Sequence, residues 1–528
     1  MAVLMRARPA PMPPATLWVP ALAASAFCLI PSVYLAIRAA EDPADAVATL
    51  TAPATLVLLA RSMLFAAVVT LVAALIALPL AWLTTRTDLP GRRLIAFLAP
   101  MPLAVPSYVG ALVAISAFSP RGLLQQALAP FGVEAIPSIY GFGGAAAVLA
   151  LVTYPYLLLT LRPAIEALDP RLEELSRTFG YGRWTTFRRV IFPHLRPALA
   201  SGGLLVMLYA LSDFGTPSLM RFDSFTRVIY LRYQSSFERG EAAALALVLA
   251  VLALTIVALE VASRGNARYD SAHGQRWRPA TVALGAWKWA ALAFVAVVLG
   301  LALVLPAAVL LYWLARSADT AGVAAGLTEA FRGSVLGASL AALAATAVAL
   351  PIALLSVRHP RWLLTRPIEV LAYTGYALPG LVIALALVFV SIHFGSLYQS
   401  LAILVAAYVL LYLPQAIGAA RVRLLQVRPS IEEAARGLGR HPIAVLRTIT
   451  LPLAGRGILA GSALVFLSTM KELPVTLLLS PIGFRTLATR VWGAASESFF
   501  AQAALPALLL IALSAIPVML SNAGRNRD

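Results

Sequence analysis

Cysteine, histidine and charge are all scarce in this sequence, and each shortage excludes a class of protein. The single cysteine, Cys28, permits neither a disulfide framework nor a cysteine-based metal site. The five histidines are scattered without His-Glu-x-x-His or a similar spacing, so a metalloenzyme would have no ligand set. The sequence also lacks a Gly-x-x-x-x-Gly-Lys-Ser/Thr loop, the phosphate-binding motif of many ATPases. We therefore predict no catalytic residues, no metal site and no cofactor bound by this chain.

Apolar residues dominate what is present. They make up 61% of the 528 residues, charged residues make up only 12%, and the mean hydropathy is +0.86. A soluble domain of this composition could not cover its surface with polar groups. The apolar runs are about twenty residues or longer, which is the length of a spanning helix and not of the alternating strands of a barrel. The sequence therefore predicts an all-α polytopic membrane protein.

Twelve of these runs are long enough to span a membrane, six in each half of the chain. They lie at about 17–37, 56–84, 94–118, 140–163, 197–220 and 241–263, then at about 285–314, 333–357, 367–392, 397–420, 457–480 and 500–522. Because twelve is an even number, both termini are predicted on the same side. Arg6 and Arg8 precede the first run, which we interpret as a retained helix and not as a cleaved signal peptide.

The formal net charge of +18 has two explanations, nucleic-acid binding and the positive-inside bias of membrane proteins. About 29 of the 41 Lys and Arg residues fall in the termini and in the loops on the same side, and about 12 fall on the other side. This asymmetry favours the positive-inside bias. We therefore predict no nucleic-acid partner and place both termini in the cytoplasm.

Two polar, arginine-rich segments interrupt the apolar chain, and they resemble one another. Residues 173–180 (Glu-Glu-Leu-Ser-Arg-Thr-Phe-Gly) recur at 432–439 (Glu-Glu-Ala-Ala-Arg-Gly-Leu-Gly), and Pro193 and Pro452 each follow thirteen residues beyond the glycine. At the same offset of 259, these pairs match: Pro170 and Pro429, Arg177 and Arg436, Arg188 and Arg447, Asp213 and Glu472. Six helices in each half predict two parallel repeats that insert in the same orientation.

The repeat predicts the following division of the chain: 1–54, a first helix and outer loop; 55–264, the first repeat; 265–284, a cytoplasmic linker; 285–330, the first helix of the second half; 331–522, the second repeat; and 523–528, a cytoplasmic tail.

Each polar segment is predicted to begin and end a short helix. In the first copy Asp169 precedes a proline and acidic residues, which complement the helix dipole. In the second, Ser430 and Glu433 have the spacing of a capping box. Gly180 and Gly439 suit the C-terminal stop, where φ is positive.

A second short helix then follows in each copy, and Pro193 and Pro452 are predicted to end it and turn the chain back into the membrane. The product is a helix–turn–helix elbow in the cytoplasm. It would rest on anionic lipid through its arginines, or it would dock on a protein partner. Two copies at matched positions favour a partner that is itself two-fold.

These segments resemble the cytoplasmic signature of ABC importer permeases, in which Glu-Ala-Ala is followed by three residues, a glycine and, thirteen residues on, an apolar–Pro pair. The second copy matches at Glu433, Ala434, Ala435, Gly439, Leu451 and Pro452. The first matches at Glu174, Gly180, Phe192 and Pro193 and has Leu175 and Ser176 in place of the two alanines. In that family the elbow is a coupling helix, which sits in a groove of an ATPase subunit and transmits its closure to the membrane helices.

The resemblance implies that ATPase coupling depends on Glu174, Gly180, Phe187, Pro193, Glu433, Ala434, Ala435, Gly439 and Pro452. It also implies two copies of an ATPase subunit, a periplasmic solute-binding protein, surrounding membrane lipid and one fused permease chain per transporter in a bacterial inner membrane. Hydrolysis of ATP would then belong to a separate subunit, and this chain would not be an enzyme.

The fused architecture is similar to ferric-iron importer permeases, as are Ser212-Asp213-Phe214-Gly215 and Met470-Lys471-Glu472-Leu473-Pro474. Thiamine and phosphonate importers share this architecture, so all three solutes remain open. An ion-coupled secondary transporter with parallel repeats is the alternative from another class. It would need coupling charges near the membrane midplane, and this sequence has few.

Asp213 and Glu472 are the candidates for the solute pathway. Each lies some sixteen residues into the helix that follows a polar segment, and ionisable groups at membrane depth usually face a cavity or a partner. Carboxylate oxygens suit a trivalent cation, which is a hard acid. A structural ion pair with neighbouring Lys471 is the alternative for Glu472.

Overall fold

The computed structural model describes residues 12–41, 43–235, 239–264, 281–317 and 326–525. Within these ranges the chain is helical, and its only strand-like feature is an isolated bridge between Thr87 and Val282. The α-helices are α1 (Ala15–Glu41), α2 (Pro43–Thr51), α3 (Pro53–Arg86), α4 (Arg92–Leu98), α5 (Ser107–Phe118), α6 (Leu123–Leu128), α7 (Phe142–Glu166), α8 (Pro170–Thr178), α9 (Arg183–Thr186), α10 (Phe192–Ser212), α11 (Gly215–Leu219), α12 (Phe225–Gln234), α13 (Arg239–Arg264), α14 (Trp287–Leu299), α15 (Leu305–Arg316), α16 (Leu327–Arg358), α17 (Thr365–Ala377), α18 (Gly380–His393), α19 (Leu401–Gln426), α20 (Pro429–Gly437), α21 (Pro442–Val445), α22 (Leu451–Met470), α23 (Pro474–Leu479), α24 (Leu487–Ser496) and α25 (Phe500–Arg525).

The predicted all-α membrane architecture is confirmed. Ten helices in the described ranges are long and apolar enough to cross a membrane, and the number is twelve if each of two bent helix pairs counts as one span. Helices suit this environment because all their backbone hydrogen bonds close within the segment, where lipid offers no partner.

The third span of each half is broken, although the sequence analysis predicted continuous helices at 94–118 and 367–392. In the first half α4 gives way to a 3₁₀ turn, Met101–Ala104, before α5 begins. In the second half α17 and α18 meet at an angle of 97°. Prolines favour both breaks, because a proline donates no backbone hydrogen bond and its ring clashes with the preceding turn. They stand at Pro100, Pro102 and Pro106 in the first half and at Pro379 in the second.

The fifth span of each half also ends earlier than predicted. α10 stops at Ser212 and α22 at Met470, and a short helix, α11 or α23, follows each break. Asp213 and Glu472 therefore lie in the breaks and not within a helix.

The described residues group into two compact units, and each unit takes helices from two separate stretches of the chain. Unit I comprises residues 43–327 and 487–528, and unit II comprises residues 1–42 and 328–486. In unit I the centre is formed by α3, α7 and α10, and α25 packs on α15 and α24. In unit II α19 packs on α22, and α1 packs on α17 and α18.

Helix α1 is tied into unit II by specific contacts. The hydroxyl of Ser25 donates to the carbonyl of Ile368 at 2.9 Å, and the rings of Trp18 and Trp362 are 6.0 Å apart. The first helix of the sequence therefore packs with helices of the second half.

In unit I the segment before α14 is pinned to the end of α3. The backbone N–H of Val282 donates to the carbonyl of Arg86 at 2.7 Å, and that of Asp88 donates to the carbonyl of Val282 at 3.3 Å. The Asp88 carboxylate also accepts from the N–H of Leu284 at 2.9 Å. This places α14 beside the first polar segment.

Candidate functional site

Residues 170–193 form the first elbow of the sequence analysis, and we call them elbow 1. Helix α8 begins where predicted, because the Asp169 carboxylate accepts from the backbone N–H of Arg171 at 2.9 Å. It ends at Thr178, and the turn that follows contains Gly180, whose φ of +76° is a conformation that favours glycine. The N–H of Tyr181 then donates to the carbonyl of Ser176 at 3.1 Å and closes the turn.

Elbow 2, residues 429–452, has the same turn at Gly439, with a φ of +80°. Its start differs from the prediction, because Arg428 and not Ser430 occupies the N-cap, and no side chain caps the helix there. Proline fits the first helical position, so Pro429 sets the start and leaves Ser430 inside the first turn. The predicted capping box between Ser430 and Glu433 is therefore wrong.

Pro193 and Pro452 do not end the second helix of the elbows, which corrects the prediction. Helix α9 runs through a π-helical turn, Phe187–Ile191, directly into α10, and α21 runs through Leu446–Thr450 into α22. Each proline is the second residue after its π turn. Because a proline cannot donate a backbone hydrogen bond, the widened turn accommodates it without stopping the helix. Movement of an elbow would therefore pass into the helix that follows it, which in the case of α22 bends by 61° between Gly455 and Gly457.

A buried arginine anchors elbow 1. Arg86, the last residue of α3, is 0% exposed, and its Nη1 lies 3.2 Å from Oε1 of Glu173. Its Nη2 donates to the carbonyl of Leu168 at 3.4 Å. Helix α8 is thereby fixed to the end of a spanning helix on both sides of its N-cap.

The same anchor recurs at elbow 2. Arg358 ends α16, and its Nη2 lies 2.8 Å from Oε1 of Glu432 and donates to the carbonyl of Val427 at 3.1 Å. The hydroxyl of Thr450 donates to the same carboxylate oxygen at 2.9 Å. Glu432 thus connects α20 to α16 and to the π turn before α22.

Two arginines form ion pairs with Glu432 at this second anchor. Nη2 of Arg436 lies 3.8 Å from Oε2 of Glu432 on the exposed side. Burial, and then the positive charge of Arg436, lower the pKa of His359 below its ordinary value. The imidazole is therefore neutral at pH 7, and the groups that pair with Glu432 are the guanidiniums of Arg358 and Arg436.

The buried glutamate is the first of each pair, whereas the predicted coupling residues Glu174 and Glu433 are exposed. Successive helical residues point about 100° apart, so when Glu173 or Glu432 faces its arginine, the next residue faces outward. Neither arginine–glutamate contact was predicted from the sequence. The sequence does place an arginine at the end of the second apolar run of each half. Because Arg86 and Arg358 are 272 residues apart, they do not align at the offset of 259 that relates the two polar segments.

Each elbow presents a large apolar side chain immediately before its glycine. Phe179 is 76% exposed and Leu438 is 85% exposed, and the two occupy matching positions of the repeat. An exposed apolar side chain of this size next to an exposed carboxylate is typical of a contact surface.

The two positions after the second glutamate face opposite ways. Leu175 and Ala434 are exposed, and Ser176 and Ala435 are buried. In elbow 1 the Ser176 and Thr186 hydroxyls hydrogen-bond at 2.8 Å and join the two limbs. The departure of elbow 1 from the Glu-Ala-Ala pattern therefore enlarges the outward face at Leu175 and adds a polar brace inside.

Phe187 lies on the membrane side of elbow 1. Its ring is 5.9 Å from that of Trp82 on α3 and 5.8 Å from that of Trp184. This predicted coupling residue thus packs behind the outward face and not on it.

Asp213 is held firmly within unit I. Its carboxylate accepts a short hydrogen bond from the Ser107 hydroxyl and one of 2.9 Å from the backbone N–H of Thr216. Its carbonyl accepts from the Thr226 hydroxyl at 2.7 Å. The side chain joins the start of α5 to the start of α11 across the break after α10.

Glu472 occupies the corresponding break in unit II. Its carboxylate accepts from the Tyr412 hydroxyl at 2.8 Å and from the backbone N–H of Val475 at 3.3 Å. Its carbonyl accepts from the Thr476 hydroxyl at 2.8 Å. Across the described residues, no group of three or more His, Cys, Asp or Glu side chains is close enough to hold a metal ion.

The chain matches one family model twice, at residues 70–269 and 345–524, and the family is described as "Binding-protein-dependent transport system inner membrane component". The two matches confirm the internal repeat. Each contains one elbow and the break that follows it.

Among curated proteins, the chain is 34% identical to a Fe(3+)-transport system permease protein of Haemophilus influenzae, over 93% of this chain and 94% of the relative. It is 36% identical to a sulfate transport system permease protein of Escherichia coli, over 26% of this chain and about half, 48%, of the relative. It is 25% identical to a molybdate/tungstate transport system permease protein of Thermococcus kodakarensis, over 44% of this chain and 87% of the relative.

Proposed function

The chain belongs to the binding-protein-dependent inner-membrane components of transport systems, the permeases of ABC importers, and on that premise we propose that it carries ferric iron into the cell. Members of this family are transport subunits and not enzymes, and they work with an ATPase and a binding protein. We further propose that two ATPase subunits dock on one copy of this chain, with both termini in the cytoplasm.

One observation carries the choice of iron. The Fe(3+)-transport relative matches both halves of the chain almost end to end, whereas the sulfate relative matches 26% of it and the molybdate/tungstate relative 44%. Sulfate and molybdate are anions, so their pathway would need other partners than carboxylates. The two carboxylates in matching breaks, Asp213 and Glu472, support a cation.

The elbows support the proposed coupling. Each offers an exposed glutamate and an exposed apolar tip to an ATPase, while an arginine paired with a buried glutamate ties the same short helix to α3 or α16. The continuous π turn connects each elbow to α10 or α22. Movement of the docked ATPases would therefore reach two spanning helices in each repeat and drive alternating access.

Uptake of several solutes tests the proposed substrate. We expect proteoliposomes that contain the chain with its ATPase and binding protein to take up radiolabelled ferric iron only when ATP is supplied. Excess sulfate, molybdate, thiamine or phosphonate should leave that uptake unchanged, because each would need a different set of ligands. Uptake of one of these solutes instead of iron would overturn the substrate while leaving the family intact, and uptake without ATP would indicate a secondary transporter.

We predict that Asp213→Asn and Glu472→Gln each lower iron uptake about tenfold or more, equivalent to losing about 1.4 kcal/mol of cation stabilisation. Asn keeps the geometry of Asp213, because its amide oxygen accepts from Thr216 and its NH₂ donates to the Ser107 hydroxyl, which also accepts. The change therefore removes charge and not packing.

The charge-conserving variants Asp213→Glu and Glu472→Asp are the controls for geometry, and assembly with the ATPase is measured in parallel. Near-normal uptake by the Asn and Gln variants would show that the two carboxylates only cap the short helices behind the breaks.

A further inference from the structure

An apolar cavity of about 840 Å³ lies beside elbow 1 in unit I, within the range of about 300–1,000 Å³ typical of ligand pockets. Its walls come from the end of α3, from elbow 1, from the pinned segment before α14 and from α14 itself. They include the side chains of Leu78, Trp82, Trp184, Phe187, Trp287 and Phe294. Two charged residues, Glu173 and Arg177, reach its edge, and Glu173 is already paired with Arg86.

A second, polar recess of about 300 Å³ shares one lining residue with this cavity. This recess is lined by Trp184, Thr185, Arg188 and Arg189, so the Trp184 side chain is a wall of both spaces. Arg188 and Arg189 are exposed, and the Arg189 guanidinium lies 5.6 Å from the centre of the Tyr181 ring. Trp184 is thus the residue common to an apolar space and a positively charged one.

Both spaces lie at the level where spanning helices end. Helix α3 ends at Arg86, and the span that contains α14 begins at Trp287. Trp287 and Trp289 are 77% and 69% exposed, as expected for tryptophans in the interfacial belt of a membrane. A molecule that fills both spaces would have its apolar part at the depth of lipid chains and its charged part at the headgroups.

We propose that these two spaces bind one anionic phospholipid from the leaflet next to elbow 1. An acyl chain occupies the aromatic-walled cavity, and the phosphate is held by Arg188 and Arg189, with Arg177 nearby. Arginine suits this role because its planar guanidinium binds phosphate through paired hydrogen bonds. A free phosphate would use the arginines but would leave the apolar cavity unexplained.

The site belongs to elbow 1 and not to elbow 2. At the matching positions of the repeat, Thr448 replaces Arg189 and Ile443 replaces Trp184. Elbow 2 therefore lacks both the second arginine and the shared aromatic wall. A bound lipid would brace the elbow whose outward face departs from the family pattern, and this inference does not depend on which solute is carried.

Native mass spectrometry of the purified full chain, titrated with phosphatidylglycerol or phosphatidylcholine, tests the proposal. We expect one tightly bound phosphatidylglycerol and much weaker binding of phosphatidylcholine. Arg188→Gln/Arg189→Gln should weaken phosphatidylglycerol binding about thirtyfold, because each arginine near an anionic headgroup adds a separate attraction. Ala291→Trp should also weaken binding, because the indole would occupy part of the cavity while both arginines are kept.

The matched control is Arg440→Gln/Arg447→Gln, which removes the same charge from exposed positions of elbow 2 and should leave binding unchanged. Equal binding of both lipids, or wild-type binding by the Arg188→Gln/Arg189→Gln variant, would overturn the proposal. Displacement of the lipid by inorganic phosphate alone would also overturn it, since the arginines would then act without the cavity. Release of the lipid when the ATPase assembles with the chain would also overturn the proposal, because the ATPase would then occupy the cavity.

Discussion

Glu173→Gln will destabilise elbow 1 by about 3–5 kcal/mol, whereas Glu174→Gln will change its stability by less than about 0.5 kcal/mol. The two glutamates are neighbours and the substitution is the same, so only their surroundings differ. Glu173 is 8% exposed and faces Arg86, which is 0% exposed. Glutamine would leave that guanidinium buried without a counter-charge, and solvating it would require α8 to detach from α3.

Hydrogen exchange measures this loss locally. The amides of α8 should exchange at least about a hundredfold faster in Glu173→Gln, because about 1.4 kcal/mol corresponds to a factor of ten in the opening equilibrium. The amides of elbow 2 serve as the internal reference, and their exchange rates should not change.

The double variant Arg86→Met/Glu173→Met separates charge from packing. Apolar side chains of similar volume often replace a buried ion pair at little cost, so this variant should exchange slowly again. Unchanged exchange in Glu173→Gln would show that the ion pair does not hold the elbow, and fast exchange in the double variant would show that packing alone cannot replace it.

The spans could be predicted from sequence because hydropathy over twenty residues depends on composition alone. The positions at which the spans break could not be predicted in this way. Pro79 and Pro351 lie inside the continuous helices α3 and α16, whereas Pro106 and Pro379 stand at breaks. A proline removes one hydrogen bond in every case, and whether the helix continues depends on neighbours that re-satisfy the freed carbonyl.

The elbows illustrate the same limit at the level of single residues. The positions of the glycines follow from local backbone demands, so Gly180 and Gly439 were predicted correctly. Which of two adjacent glutamates is buried depends on where α3 ends, and its last residue, Arg86, lies 87 positions before Glu173 in the chain. Local patterns carry no information about that contact.

The exposed carboxylates lead to a prediction about the partner. Glu174→Arg/Glu433→Arg should abolish retention of the ATPase during purification and reduce ATP-driven uptake to background. Both side chains are exposed, so the fold should survive. At a docking surface, however, two charge reversals bring like charges together, and such a pairing costs several kcal/mol, or more than a hundredfold in affinity.

The control is Glu134→Arg/Glu497→Arg, which makes the same change of charge at exposed residues that lie in loops predicted on the opposite side of the membrane. This variant should retain the ATPase. Retention by Glu174→Arg/Glu433→Arg, or equal loss in the control, would contradict the docking role of the elbows.

The single variants should differ, with Glu433→Arg more harmful than Glu174→Arg. At the outward position after each glutamate, elbow 2 carries Ala434 and elbow 1 carries Leu175, which is 55% exposed. Leu175 holds a partner farther from the backbone than Ala434 does. Glu174 should therefore contribute less to the docking energy than Glu433. Leu175→Ala should remove this difference and make Glu174→Arg as harmful as Glu433→Arg. ATPase retention is measured for Glu174→Arg, Glu433→Arg, Leu175→Ala and Leu175→Ala/Glu174→Arg. Equal retention by the two single glutamate variants would mean that both elbows dock alike.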